Sequence, residues 1–362
     1  MAMVIDTGFA PVFELTRGED VESIHYGAAV VVDSGGRLLA WVGDPERKTY
    51  LRSAAKPFQV LPFLEHGGME YYGLSEREVA LLCASHSGTD EHMAVLGSIQ
   101  KKTGVDESEL LCGIHRPIHK HTAESMRERG ETFTPNRHNC SGKHTGMLAY
   151  NRMKEREPGF ITDRFQYIDA QHPVQREILQ TFAEMCGVEP EQVGVGIDGC
   201  SAPNFSLALY NVALAFARLA DPVEGGVQPS KRAAACKMVA SAMMSHPDMV
   251  GGPGRFDTRL MEVCRGRIFI KGGAEGYQGV GLMKGALGPG SAAIGIAAKI
   301  ADGDRRLSVR PAVVLEILRQ LGALSPDELD QLSEFGPIFP IRNWREIVVG
   351  EARPVFTLDR AP

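Results

Sequence analysis

Short apolar segments near both ends of the chain enclose a longer middle part in which apolar residues recur at helical spacing. Apolar runs bounded by turn residues predict five main strands, at 24–32, 37–43, 268–273, 279–284 and 292–298. The sequence Asp-Ser-Gly-Gly between the first two predicts a tight hairpin turn. Because a two-stranded hairpin is only marginally stable alone, the early and late strands are expected to join one sheet.

Most of the remaining regular segments are predicted to be helices, followed by a less regular tail. The helices are expected at 53–64, 75–83, 91–102, 122–130, 145–153, 172–186, 205–219, 230–245, 257–264 and 310–321. The helix after Ser75 begins with a capping box, in which Glu78 is the partner of that serine. These elements predict an α+β protein in which residues 1–362 form a single catalytic unit of two lobes. An α/β lobe is expected from about 1–74 and 256–362, and a mainly helical lobe from about 75–255.

Composition and charge narrow the class of protein. The chain has 362 residues, 43% hydrophobic and 23% charged, which is ordinary for a soluble globular protein. Its 39 Lys and Arg residues against 45 Asp and Glu residues give a net charge of −6, with no long run of either sign, so neither nucleic-acid nor membrane binding is expected. No secretory pattern and no long apolar stretch is seen, and the seven scattered cysteines suit a reducing compartment, so we expect a cytoplasmic location.

The segment Arg52-Ser-Ala-Ala-Lys56 is the first candidate for chemistry. Ser53 and Lys56 are three residues apart, which places both side chains on one face of a helical turn. A desolvated lysine there can accept the serine proton and make the hydroxyl a nucleophile. The same spacing also suits a plain helix N-terminus, with Ser53 as the cap and Lys56 in solvent.

Two later segments offer partners for this pair. Ser85 lies in a Ser-His-Ser loop, where a turn serine is the simpler interpretation. Lys271 ends an apolar strand and precedes Gly272 and Gly273, which leave room for a ligand at the strand edge. The order S-x-x-K, S-H-S and K-G-G parallels the three elements of serine β-lactamases and penicillin-binding proteins, although the second and third elements differ.

Other candidates come from polar residues beside glycine. Cys140 and Cys200 are plausible Zn²⁺ ligands, although two distant cysteines can also be unrelated buried thiols, and His144 is the expected further ligand. Asp198 could hold a substrate ammonium group or be a turn residue, and Arg52 could hold a carboxylate or lie in solvent. The histidines at 115, 119 and 121 are interpreted as part of a polar loop.

Several of these segments resemble the asparaginase II family, the inducible Rhizobium type, over about residues 13–295. The segments that show it are ELTRGEDVESIHYGAAVVVD, LRSAAKPFQ, CASHSG, NCSGKHTGM, GIDGCSAPNF and KGGAEGYQGVG. The resemblance implies hydrolysis of L-asparagine to L-aspartate and ammonia by a homodimer. It also implies a serine β-lactamase-like fold, in which helices flank an antiparallel sheet.

The resemblance also implies roles for individual residues. It implies two Ser–Lys tandems, Ser53 with Lys56 and Ser85 with Lys271. It further implies a zinc ion near the substrate, held by Cys140, Lys143 and Cys200. Lysine is an unusual ligand because it must be neutral to bind, so His144 remains an alternative to Lys143.

These residues predict acyl transfer. Lys56 is expected to take the proton of Ser53, which attacks the side-chain amide of asparagine, and Ser85 with Lys271 is expected to pass a proton to the leaving ammonia. Backbone N–H groups near Ser53 and in the strand of Lys271, with Gly272 beside the substrate, are expected to form an oxyanion hole. Zinc is expected to position the substrate. A glutaminase, another serine hydrolase such as a β-lactamase or peptidase, and a zinc-dependent binding protein remain alternatives.

Overall fold

A curled antiparallel sheet of nine strands forms the centre of the fold, as seen in a computed structural model that describes residues 7–160, 162–163, 166–305 and 308–361. Seven strands follow one another in the order β10-β11-β1-β2-β9-β8-β7, while β3 pairs with β2 and β12 pairs with β3. The strands are β1 Ala10–Arg17, β2 Asp20–Asp33, β3 Leu38–Val42, β7 Ile268–Gly272, β8 Tyr277–Leu282, β9 Ile294–Ile300, β10 Phe339–Arg342, β11 Val348–Pro354 and β12 Asp359–Arg360.

A smaller antiparallel sheet of three strands lies beside the segment that leads to Ser53. Its order is β4-β6-β5, with β4 at Lys48–Tyr50, β5 at Gly194–Ile197 and β6 at Pro203–Ala208. The backbone N–H of Leu51 continues this pairing by donating to Phe205 O at 3.0 Å. The small sheet therefore fixes the approach to the S-x-x-K segment from a part of the chain about 150 residues away.

Helices cover the large sheet and build the rest of the molecule. They are α1 Lys56–Gln59, α2 Leu61–Glu65, α3 Gly68–Tyr72, α4 Glu76–Leu82, α5 Asp90–Thr103, α6 Lys120–Glu128, α7 Ser141–Lys154, α8 Pro173–Cys186, α9 Leu209–Ala220, α10 Ser230–Ser245, α11 Pro247–Val250, α12 Phe256–Cys264, α13 Val309–Gln320 and α14 Pro326–Gln331. Both α9 and α13 pack on the sheet. Successive residues of β9 are all buried, so both faces of the sheet are covered at this strand.

The predicted α+β class, with an antiparallel sheet and flanking helices, is confirmed. The hairpin of β2 and β3 and the capping box of Ser75 with Glu78 are also as predicted. The prediction of a helix from residue 205 was wrong at its start, because 203–208 pair as β6 and the helix begins at Leu209. The proposed lobe boundaries stay a prediction; α9, although it lies in the middle part of the chain, packs on the sheet.

Strand β1 and the C-terminal strands β10, β11 and β12 were not predicted. Most side chains of β10, β11 and β12 are exposed or half-exposed, and β1 mixes buried with exposed positions, so none of them forms a long apolar run. In the part of the chain that the structure describes, no helix is long and apolar enough to cross a membrane.

Candidate active site

Ser85 lies between two buried lysines. Its Oγ is 3.0 Å from Lys56 Nζ and 2.8 Å from Lys271 Nζ. Lys56 Nζ also donates to the carbonyl oxygens of Ala84 at 2.6 Å and Asn139 at 3.3 Å. Within the described ranges, Lys271 Nζ has one further contact, Gly272 O at 2.8 Å. Each lysine is only 1% exposed, so both amines act in a low-dielectric environment.

Three distant parts of the chain bring this trio together. Lys56 is the first residue of α1, directly after a 3₁₀ turn at Arg52–Ala55, and Lys271 lies on β7. Ser85 lies in the loop after α4, where its backbone N–H donates to Val250 O. Gly273, at the end of that strand, allows the close approach. A Cβ there would lie 2.2 Å from Leu51 O, so only glycine lets β7 pack against the segment that precedes Ser53.

Ser53 takes a different place from the one its spacing predicted. It is partly exposed, and its hydroxyl forms no hydrogen bond with any residue that the structure describes. Lys56 points to Ser85 instead, so the expected Ser53–Lys56 hydrogen bond is not formed here. Arg52, the residue before, has φ +52°, a conformation that costs energy for a side chain with a Cβ and is often kept at functional sites.

Burial sets the protonation of Lys271. Burial and the nearby charge of Lys56 lower its pKa to about 7, while the carboxylate of Asp257 opposes this shift. Asp257 is itself buried, and its Oδ2 accepts the Gly272 N–H at 2.6 Å. Burial opposes its ionisation, but Lys271 and Arg310 lower its pKa overall. Asp257 could not be recognised from the sequence, because an acidic residue in the first turn of a helix is common.

The backbone donors at the end of β7 are already engaged. Gly272 N–H donates to Asp257, and Gly273 N–H donates to Tyr277 O at 2.9 Å. These two groups therefore do not form the oxyanion hole that the sequence led us to expect there. The N–H groups of Ser53 and Ala274 form no hydrogen bond with any described residue and are available to an incoming oxygen.

Arg52 and Asp198 form an ion pair with each other. Arg52 Nε donates to Asp198 Oδ1 at 2.6 Å, and the Arg52 backbone N–H donates to Asn204 Oδ1 at 3.0 Å. Burial opposes the charge of Asp198, but Lys143 and Arg52 lower its pKa overall. A cleft of about 430 Å³ opens beside Arg52 and Asn204 and is also lined by Glu275 and Lys299.

Cys140, Lys143 and Cys200 meet in a buried cluster. Lys143 Nζ donates to Cys200 Sγ at 2.9 Å. A hydrogen bond with Cys200, together with Lys56 and Lys143, holds the pKa of the Cys140 thiol well below its usual value, although burial opposes this. Burial also opposes the charge of Lys143, but the sulfurs of Cys200 and Cys140 raise its pKa overall. The cluster thus places a lysine ammonium where it can neutralise thiolate charge.

The donors of this cluster fit zinc in part. Two cysteine sulfurs suit the ion, whereas Lys143 could bind it only after losing a proton that the sulfurs help it to keep. His144 is adjacent: its Nδ1 lies 2.7 Å from Tyr167 Oη, and its buried Nε2 has no partner among the described residues. No group of three or more His, Cys, Asp or Glu side chains in the described ranges is arranged to hold a metal ion.

The histidines at 115, 119 and 121 do not act as one cluster. His115 Nε2 accepts the Asn139 N–H at 3.1 Å, which leaves its Nδ1 to donate to Arg116 O at 2.6 Å, while His119 contacts Thr122. Asn139 O is one of the acceptors of Lys56. His115 therefore contacts the site only indirectly, through Asn139, and the spacing of the histidines in the sequence could not indicate this.

Two solved structures are similar to this chain over most of its length. One is a probable glutaminase from Bacillus subtilis complexed with 6-diazo-5-oxo-L-norleucine, at 13% identity over 82% of this chain and 83% of that chain, with a TM-score of 0.37. The other is a Bacillus glutaminase, at 12% identity over 81% and 90% of the two chains, also with a TM-score of 0.37.

No curated protein matches the sequence. The model of the L-asparaginase II family matches residues 13–354, which is nearly the whole chain. The protein therefore belongs to the L-asparaginase II family and is an amidohydrolase.

Proposed function

We propose that the protein hydrolyses L-asparagine to L-aspartate and ammonia by acyl transfer to a serine. The observation that carries this proposal is the position of Ser85 Oγ between two buried lysine amines, at 3.0 and 2.8 Å. Two amines joined through one hydroxyl can store and return a single proton, which amide hydrolysis needs first at the nucleophile and then at the leaving nitrogen.

The hydrogen-bond count gives the relay a direction. Lys56 Nζ has three acceptors, which match the three N–H groups of an ammonium, whereas Lys271 Nζ has two contacts and a pKa lowered to about 7, first by burial. Above that pH, Lys271 is neutral and its lone pair can accept the Ser85 hydroxyl proton. Ser85 then takes a proton from Lys56, and the neutral Lys56 amine can accept the proton of Ser53.

Ser53 is the proposed nucleophile, because its hydroxyl is uncommitted and lies three residues before Lys56. Its oxygen attacks the side-chain amide carbon, and the N–H groups of Ser53 and Ala274 would stabilise the oxyanion. The proton on Lys271 returns through Ser85 to the leaving nitrogen and releases ammonia. Water, deprotonated by the same relay, then hydrolyses the acyl-serine and releases aspartate.

Asp198 is the proposed partner of the substrate's α-ammonium group. Its carboxylate is held by Arg52 at the cleft, so a second cation can share it. Arg52 would hold this carboxylate in place through Nε, while the space beside Gly272 is filled by Arg310 and Asp257. These roles stay proposals that depend on the substrate.

A zinc ion is a separate proposal. Cys140, Lys143 and Cys200 would hold it, with His144 as the alternative to Lys143, and the ion would supply positive charge beside the substrate. Mass-spectrometric metal analysis of the purified protein and of Cys140→Ala tests this. About one zinc per chain that is lost in Cys140→Ala, and retained in a Cys264→Ala control at a distant buried thiol, is expected. A wild-type protein that holds no zinc would contradict it.

Ammonia release from asparagine and glutamine tests the main proposal. The wild type is expected to prefer asparagine, although one methylene is worth only about 1–3 kcal/mol of discrimination. Ser53→Ala and Ser85→Ala are expected to lose nearly all activity, while Ser333→Ala, an exposed serine on a distant turn, is expected to keep it. A wild type that is inactive on both amides but hydrolyses nitrocefin would instead identify a β-lactamase.

Two further expectations concern the whole protein. We propose a homodimer, which light scattering coupled to size-exclusion chromatography can test. We also propose a cytoplasmic location, because all seven cysteines lie free and buried, as expected in a reducing compartment.

A further inference from the structure

Arg255 is a half-buried cation next to the lysine–serine trio, and no described residue forms an ion pair with it. It directly precedes α12, and its side chain lies against the loop that carries Ser85. Its only side-chain hydrogen bond among the described residues is a long one, from Nη1 to Ser87 Oγ at 3.5 Å. Ser87 Oγ donates its own hydrogen to Gly251 O at 2.8 Å, so it contacts Arg255 only as a distant acceptor.

The other guanidinium groups around the site have partners. Arg52 is paired with Asp198, and Arg310 donates to the carbonyl oxygens of Gly273 at 3.1 Å and Tyr277 at 3.4 Å. Arg232, in the helical part, bridges Glu65 and Glu184. Arg255 is the exception: its charge is partly withdrawn from water and has no carboxylate of its own among the described residues, which favours an anionic ligand there.

The charge around Lys271 is also unbalanced. One carboxylate, Asp257, faces the cations Lys271, Arg310 and Arg255. Even when Lys271 is neutral, two permanent guanidinium charges remain for one carboxylate. The same Arg255 charge reaches Lys271, which places it within electrostatic range of the reacting groups. A site with this surplus is suited to an anion.

We propose that Arg255 binds the α-carboxylate of the amino-acid substrate, an inference that rests on the proposed amidohydrolase function. A guanidinium presents two parallel N–H groups to a carboxylate, and the weak contact to Ser87 leaves these donors free. Arg52, the residue that the sequence suggested for this carboxylate, is already engaged with Asp198. The two ends of the amino acid would thus be held from different sides, the ammonium by Asp198 and the carboxylate by Arg255.

Steady-state kinetics on asparagine test the proposal, with Arg255→Gln, Arg255→Lys and the control Arg259→Gln. Arg259 lies one helical turn further on, is paired with Glu262 and is partly exposed, so its variant should match the wild type. Arg255→Gln is expected to raise KM about 10- to 100-fold, the usual range for hydrogen bonds to a charged group, and to change kcat less than about threefold. Measurements on the alkaline plateau keep Lys271 neutral in every variant.

Two results would overturn the proposal in an active enzyme: a KM within twofold of the wild type, or a loss confined to kcat. Thermal unfolding separates binding from folding, because removal of a half-buried charge that lacks an ion-pair partner should leave Tm unchanged or raise it. If Arg255→Gln does not fold, Arg255→Lys must show the same rise in KM, reduced because a lysine cannot bind in a bidentate manner.

Calorimetric binding of L-aspartate separates this proposal from the proposed function. A wild type that releases ammonia from neither asparagine nor glutamine refutes the function. The carboxylate site then stands only if L-aspartate binds the wild type and binds Arg255→Gln at least tenfold more weakly, whereas β-alanine, which lacks the α-carboxylate, binds both alike. Equal binding of aspartate to both proteins, or no binding to the wild type, overturns it.

Discussion

At the scale of single residues, the site depends on two lysines that must differ although they share one hydroxyl. If both amines carried a full charge, Ser85 would accept two hydrogen bonds from cations and no base would be present. Burial and the charge of Lys56 lower the pKa of Lys271 to about 7, so Lys271 is the amine that becomes neutral near physiological pH. The asymmetry between two identical side chains therefore comes from their surroundings, a condition typical of acid–base pairs in enzymes.

The pH dependence of kcat/KM tests this assignment. The groups that act on Lys271 are Lys56, Asp257, Arg255 and Cys140. Because a neutral Lys271 is required, kcat/KM is expected to rise with pH through about 7 in the wild type. The carboxylate of Asp257 raises the pKa of Lys271, so Asp257→Asn, which keeps an oxygen for Gly272 N–H, should move this rise to lower pH.

The protonation of Lys271 also makes the free energy of unfolding depend on pH. Between about pH 7 and the ordinary lysine value near 10.4, the unfolded chain binds a proton at residue 271 that the folded protein does not. The contribution of this group to the free energy of unfolding therefore increases as pH rises through that window, and Lys271→Met should remove this dependence.

For the kinetic prediction, a profile of kcat/KM that is flat around pH 7, or that moves to higher pH in Asp257→Asn, would contradict the assignment of Lys271 as the base.

Residue types at this scale were largely predictable, but their partners were not. Ser53, Lys56, Ser85 and Lys271 stand out because serine and lysine occur at the ends of apolar segments. Which lysine reaches Ser85 depends on side-chain direction across three elements, and the sequence contains no direct measure of it. The position of Arg255 near the site could not be predicted either, since an arginine before a helix is most often in solvent.

At the scale of elements, the site exists because strand β7 and the turn at Arg52–Ala55 approach more closely than side chains usually allow. The end of β7 carries Lys271, and the turn leads into α1 with Lys56. Gly273 is the contact point, since a Cβ there would lie 2.2 Å from Leu51 O. Packing therefore explains both glycines of the K-G-G segment, because a Cβ at Gly272 would likewise lie 2.8 Å from Arg310 Nη1.

Gly273→Ala tests this contact. The added methyl group must push β7 away from the turn, so the free energy of unfolding is expected to fall by about 1–3 kcal/mol, a typical cost of overpacking. Ammonia release should fall more strongly, by about 100-fold, because a shift near 1 Å misaligns the reacting groups. Denaturant unfolding and steady-state kinetics measure the two effects.

Gly97→Ala is the matched control for this change. Gly97 lies in the exposed part of α5, where an added Cβ meets nothing within 4 Å. The variant should therefore gain up to about 1 kcal/mol of stability from helix propensity and keep full activity. If Gly273→Ala were as active as Gly97→Ala, the close approach would not matter for the site.

At the scale of the whole molecule, the sheet joins parts of the chain that are far apart in sequence. Strand β2 pairs with β9, more than 260 residues later, and β1 pairs with β11. The strongest strands could be predicted because β2 and β9 are buried on both faces and read as continuous apolar runs. The edge strands could not be, because β10 and β11 are half-exposed and gain their hydrogen bonds only after the rest of the sheet has formed.

This topology predicts that the C-terminal strands are needed for stability although they lie outside the site. A chain that ends at residue 336 would lack β10, β11 and β12, would leave the edge of β1 unpaired and would lose the buried residues Ala352 and Leu358. We expect its free energy of unfolding to fall by at least about 3 kcal/mol, which lowers Tm by roughly 4 °C in a chain of 362 residues. We also expect aggregation through the exposed edge.

A point variant in the same hairpin distinguishes pairing from surface contacts. Trp344, in the turn between β10 and β11, is fully exposed, so Trp344→Gln removes a large apolar side chain and no hydrogen bond of the sheet. Differential scanning calorimetry should show an unchanged Tm for this variant and a lowered one for the shortened chain. If the shortened chain unfolded at the wild-type temperature, the edge strands would not contribute to stability. A lowered Tm in both proteins would instead assign the stabilisation to contacts of the turn. The expected pattern assigns it to backbone pairing, which is also what connects the strand of Lys271 to both ends of the chain.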